Sequence, residues 1–346
     1  MGTTARGAAA LAGAAVLALS GCSAGTGAPA SAGGSGESAS TADRVLRVAF
    51  NQPENHPQYI ALDNMGDRLA EATDGALDIE VYPNETLGAQ RETIELVQSG
   101  GLDMAYVAGP LLENFNPDFV AFNLPFTFDS QEHQRETLND PEIVSDLYSS
   151  LDDEGIHVLG AFHGGVRSVY TSTGPVNTPE DLAGQKIRVI ESDTNIEMMR
   201  LMGGSGTPMG QGEVYTAIQS GVLDGGENNE LIYANLKHAE IAPYYSYTRH
   251  LMFPDYLIAN PGMLESLTDD QREAFEEELA AAIEEEAELW EEQVTEAVAT
   301  AEAAGAQFNE VDEEAFRTAI EPLIEQSLAG KDTARELHDA VTAAAE

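Results

Sequence analysis

Two arginines stand in apolar, strand-like runs: Arg188 in KIRVI (186–190) and Arg167 in GGVRSVYTS (164–172). Cations are scarce around them. Between Glu136 and Leu236 the only Lys or Arg residues are Arg167, Lys186, Arg188 and Arg200. A guanidinium inside a fold is costly unless it is paired. Its planar fork matches a carboxylate. The partner of Arg188 is therefore either a carboxylate of the chain, with Glu191 and Glu180 close in sequence, or that of a small organic acid. Arg167 has the same two options, a glutamate of the fold or a ligand. Asn228, in DGGENN (224–229), sits where a short strand runs into a loop, and its amide both donates and accepts. In open α/β sheets ligands bind outside the carboxyl ends of strands, where such loops converge.

Other chemistry is missing. The chain has no H-E-x-x-H, C-x-x-C, G-x-S-x-G, P-loop or G-x-G-x-x-G pattern. Its seven histidines are scattered without metal spacing. No cofactor or metal is expected, and a binding protein is favoured over an enzyme.

The charge narrows the partners. With 60 Asp and Glu against 16 Lys and Arg, the formal net charge is −44. Nucleic acid is excluded, because phosphate binding needs clustered cations. An anionic membrane surface is disfavoured for the same reason. The 3 lysines against 13 arginines, on so acidic a chain, match the pattern by which net charge keeps proteins soluble in salt.

The first residues read as a targeting segment. Arg6 precedes an apolar run, AAALAGAAVLAL (8–19), too short to span a bilayer comfortably. LSGC (19–22) resembles the bacterial lipobox, which makes Cys22, the single cysteine of the chain, a lipidation site and membrane anchor. A Gly/Ser/Ala-rich tether follows to about residue 42.

The elements that must position the arginines alternate. RVLRVAF (44–50), LDIEVYP (77–83) and LDMAYVA (102–108) read as strands, separated by helices over 57–75 and 89–100. The pattern returns with strands over 156–162, 167–172 and 185–190, helices over 194–203 and 212–221, and a strand from 222 into the loop at Asn228. This is an α/β fold with a mainly parallel sheet, in two units. A Pro-containing extended segment (253–262) breaks the series. A long helix then starts at Thr268, whose capping box is closed by Gln271, and keeps helical spacing from Phe275 to Val298. Its glutamate run, 276–292, reads as a solvated face.

The run from Arg44 to Asn260 resembles the solute-binding proteins of TRAP transporters, the DctP type. The resemblance lies in YPNETLG, LVQSGGLDM, NLPFTF, TPEDLAGQKIRV, GTPMGQGEVYTAIQSGVLDGGENN and YYSYTRHLMFPDYLIAN. It implies a two-domain, periplasmic-binding-protein-like (venus flytrap, type II) fold with a long domain-spanning helix. It also implies a non-enzymatic receptor that hands an organic acid to a membrane permease. By resemblance the ligand carboxylate falls to Arg188, a second contact to Arg167, and further contacts to Asn228 and Asn51. GENN in place of GENP, and His56 before Pro57, are similar to the subgroup that binds sugar acids such as glucuronate and galacturonate. Gln211 stands where that subgroup tends to carry an aromatic. Glu191 stands beside Arg188, to accept ligand hydroxyls or repel a second acid group.

The expected division is a leader (1–21), a tether (22–42), domain I (43–166 plus 254–293) and domain II (167–253 plus 294–346). Two other readings share the cleft: an extracytoplasmic enzyme acting on acidic sugars, and the binding subunit of a sensor.

Overall fold

The computed structural model describes residues 42–344, so Cys22 and the tether lie outside the described residues. Nine strands form one sheet: β1 (Arg44–Ala49), β2 (Leu77–Tyr82), β3 (Met104–Ala108), β4 (His157–Thr171), β5 (Lys186–Val189), β6 (Ser205–Pro208), β7 (Gly225–Asn228), β8 (Tyr244–Ala259) and β9 (Gln307–Glu310). Their order is β2-β1-β3-β8-β4-β7-β5-β6, with β9 also on β8. The flanking pairs, β1–β2, β1–β3, β5–β6 and β5–β7, are parallel, as βαβ connections require. The centre is not: β8 and β4 run antiparallel to each other, β3 is antiparallel to β8, and β7 to β4.

The two central strands build both lobes. Residues 255–259 of β8 pair with β3, and residues 254–259 with the first half of β4; residues 244–252 pair with the second half of β4, and 244–247 with β9. One lobe thus carries β2-β1-β3 and the other β7-β5-β6, joined through a two-stranded ribbon. The segments expected as separate strands at 156–162 and 167–172 are one bent strand, β4, with its register broken between His163 and Val166. Gly164-Gly165 reads as a stop in the sequence, but it makes a bend inside the ladder. Gly165 has φ +76°, and a Cβ there would lie 2.7 Å from the Trp290 ring and 2.6 Å from Asn229. Opposite the bend, Pro254 faces His163. The extended 253–262 segment is thus largely β8 itself, running into the helix Pro261–Glu265.

The helix Pro57–Ala72 buries Ala61, Leu62, Met65, Gly66 and Leu69. Ala72 is exposed, and Ile60 is half-buried. The long helix, Asp269–Ala303, is 35 residues, about 52 Å at 1.5 Å per residue. Its Thr268/Gln271 capping box is present. Phe275, Leu279 and Ile283 pack on the first lobe, and Trp290, Ala297 and Ala301 in the core of the second. The expected solvated glutamate face is interrupted: Glu278 and Glu285 are half-buried and hold Arg68, and Glu286 is buried, because the helix turns it under the ribbon against His163. No helix among the described residues is long and apolar enough to cross a membrane.

Candidate functional site

β5 is short and held on both sides, by β6 and β7, so Arg188 enters the space between the lobes from a rigid strand. Its side chain is 4 % exposed. Nε donates to the Met209 carbonyl at 2.9 Å, and no carboxylate forms an ion pair with it among the described residues. Glu191 and Glu180 are not its partners. Burial pulls its pKa below the usual arginine range, with the more distant Glu227 opposing.

Arg167 is arranged differently. It is 3 % exposed, and its Nε and Nη2 grip both carboxylate oxygens of Glu227, Nη2 reaching Oε1 at 2.8 Å. Nη2 also donates to the Glu227 carbonyl, and Nη1 to Asn228 Oδ1 at 2.9 Å. The guanidinium stacks over Phe253 at 4.8 Å. Glu227 is fully buried. Burial pushes its carboxyl up, but Arg167, with His250 Nε2 at 3.7 Å, outweighs that and holds it below the usual range. The bond from Arg167 also orients Asn228, whose Oδ1 accepts from the Asn229 amide as well. β7 lies so close to β4 that a Cβ at Gly226 would come within 2.5 Å of the Tyr170 hydroxyl, which accounts for the glycine in DGGEN.

Six of the seven positions expected at the site, Arg188, Arg167, Asn228, Asn51, Gln211 and His56, line one narrow cleft. Gln211 and Gln52 form a reciprocal amide pair across it, at 2.7 and 3.3 Å, with Asn51 Nδ2 3.5 Å from Gln211 Oε1. His56 is buried, 5.5 Å from the Trp290 ring edge-on, with neither ring nitrogen hydrogen-bonded. Burial lowers its pKa to about 3, so the ring is neutral. Glu191 is not brought in. It lies in an adjoining groove with Glu85 and Arg91, on another flank of Arg188, and its carbonyl accepts from Asn114. The turn after β5 carries its side chain away from the space where the other six meet.

The cleft also holds residues that the sequence reading passed over, among them Gln52, Phe253 and Asp255. Asp255 carried the same signal as Arg188: a charge within an apolar strand run, LMFPDYLIA. Both lobes touch around the cleft. Glu113 accepts from Ser192 Oγ at 3.1 Å and Thr194 Oγ1 at 2.8 Å, and Asn123 donates to Asn195 at 2.7 Å.

A polar cleft between two lobes on a shared ribbon, with a buried cation in its wall, is the build of a solute receptor. The chain belongs to the bacterial extracellular solute-binding protein family 7, DctP, whose model it matches over residues 48–331. It is a receptor of the TRAP-transporter type, with that family's two-domain type II fold. A solute-binding protein of Chromohalobacter salexigens is 37 % identical over 276 residues, 79 % of this chain and 82 % of that one. A TRAP periplasmic solute-binding protein of Anaerococcus prevotii, solved with bound glucuronate, is 39 % identical with a TM-score of 0.84, covering 87 % of this chain and 97 % of that one. One from Bradyrhizobium, solved with galacturonate, is 33 % identical with a TM-score of 0.83, over 87 % and 100 %.

Proposed function

We propose that this receptor binds a hexuronic acid and delivers it, unchanged, to a TRAP permease from a lipid anchor at Cys22. Arg188 takes the carboxylate. Arg167, already held by Glu227, adds a weaker contact and fixes Asn228. Asn228, Asn51, Gln211 and His56 form the walls around the sugar ring, and Glu191 stays outside. The lobes divide at 166/167 and 253/254, where the register of β4 breaks beside Gly165 and β8 carries Pro254, and again within the long helix near residue 293.

The observation that carries this reading is the buried, unpaired guanidinium of Arg188. A buried cation with only a carbonyl partner is expensive to fold, and an incoming carboxylate relieves it. The solved relatives that hold glucuronate and galacturonate support the ligand class. Calorimetry with D-glucuronate, D-galacturonate and the matching neutral hexoses tests it. Uronates should bind and hexoses should not; hexoses binding as tightly as uronates would overturn it. Recovery of the uronate unaltered after prolonged incubation, read by NMR, separates a receptor from an enzyme.

A further inference from the structure

The cleft has a second pole. Asp255 lines it from the first-lobe half of β8, where its register partners are Ala108 of β3 and Phe162 of β4. Its Oδ2 accepts from Gln58 Nε2 at 2.9 Å, and the same nitrogen donates to the His163 carbonyl at 2.8 Å. That tether on the first turn of the helix Pro57–Ala72 fixes the carboxylate's orientation. Among the described residues, Oδ1 receives no hydrogen bond and no cation forms an ion pair with Asp255. Arg167, which attracts it, is already held by Glu227.

We propose that Asp255 reads the end of the ligand remote from Arg188: its free oxygen accepts a hydrogen bond from a hydroxyl of a monocarboxylic sugar acid, and it turns away acids carrying a second carboxylate. The inference rests on the uronate reading above and sharpens it. A hydroxyl supplies the donor that Oδ1 lacks. A second carboxylate supplies none and, above neutral pH where Asp255 is ionised, sets two anions together in a confined cleft. Burial pushes the Asp255 carboxyl up to about 7, against the Gln58 amide and the pull of Arg167; a ligand hydroxyl completes its shell. The part expected of Glu191 thus falls to a residue on the opposite lobe. Ligand length is then gauged between a cation on one lobe and an anion on the other.

The test is calorimetry at about pH 8, where Asp255 is ionised, on wild type and Asp255→Asn. The ligands are D-glucuronate, its monodeoxy analogues, and D-glucarate, which bears a carboxylate at each end. Asp255→Asn should weaken D-glucuronate by about tenfold to a hundredfold and narrow the preference for glucuronate over glucarate by a similar factor. One monodeoxy analogue should lose as much on wild type, and little more on the variant. An unchanged glucuronate-to-glucarate ratio, or deoxy analogues that respond equally on both proteins, overturns the inference. If the variant does not fold, wild type decides: glucarate binding as tightly as glucuronate overturns it. A wild type that binds no sugar acid removes the uronate reading itself. Binding that is indifferent to Asp255→Asn removes only the present inference.

Discussion

Replacing Arg188 and Arg167 in turn should separate a cation built for a ligand from one built for the fold. Arg188→Met removes a buried charge that has a single carbonyl partner and no carboxylate. The empty protein should melt no lower than wild type, because the substitution strands no carboxylate of the chain. Uronate affinity should fall by about 3–5 kcal/mol, the scale for stranding one member of a buried charge pair, or roughly two to four decades. Arg188→Lys keeps the charge but loses the fork, and should bind nearly as poorly. Arg167→Met does the reverse. It strands fully buried Glu227, so about 3–5 kcal/mol of folding stability should go, while affinity falls less per molecule that remains folded. Differential scanning fluorimetry without ligand, paired with calorimetry, reads both effects. Near-native affinity in Arg188→Lys, or equal loss of empty-state stability in the two methionine variants, would refute the assignment.

Cys22→Ala should release the protein from the membrane fraction while leaving uronate affinity unchanged, since every residue lining the cleft lies at or after Asn51; fractionation and calorimetry check the two halves. His56 and His163 are buried with pKa values lowered to about 3, so the unfolded chain takes up protons that the fold refuses. Their contribution is present above about pH 6.5 and is lost as pH falls towards 3, and His56→Phe should flatten the acid limb of a melting-temperature profile. Glu286 is shifted the other way by burial, with Oε1 unpartnered. Glu286→Gln should therefore match wild type near pH 4 and gain on it as pH rises past the free glutamate range. Gly165→Val places a branched side chain against Trp290 in a left-handed conformation and should cost at least 1–3 kcal/mol, roughly, by chemical denaturation.

Periodicity made β2 and the neighbouring helices legible, because each buries a face at its own repeat, while β3, buried throughout, was legible from its continuous apolar run. It also made the long helix legible from Thr268 onward. The same logic split β4 in two, since a Gly-Gly step looks identical whether it ends a strand or bends one. Glu286 was hidden among glutamates, because helical spacing shows which face a residue takes but not that a neighbouring ribbon covers one turn of that face. The pairing of Arg167 with Glu227 joins residues 60 apart in the sequence, across a β4–β7 register that only the assembled sheet defines. Arg188 was readable as an anomaly, a cation in an apolar strand. Asp255 was the same anomaly with opposite sign, masked by the proline before it.

The unpaired guanidinium also bears on how a transporter tells full receptors from empty ones. Shutting the lobes without cargo seals an unneutralised charge away from water, so vacant molecules are biased towards gaping forms. A permease that engages only the shut form would then meet mostly laden receptors, even where vacant ones outnumber them, and idle cycles would be suppressed at the docking step. A receptor with methionine at position 188 should lose that self-censorship and act in trans as a decoy, lowering uptake by wild type when both are present.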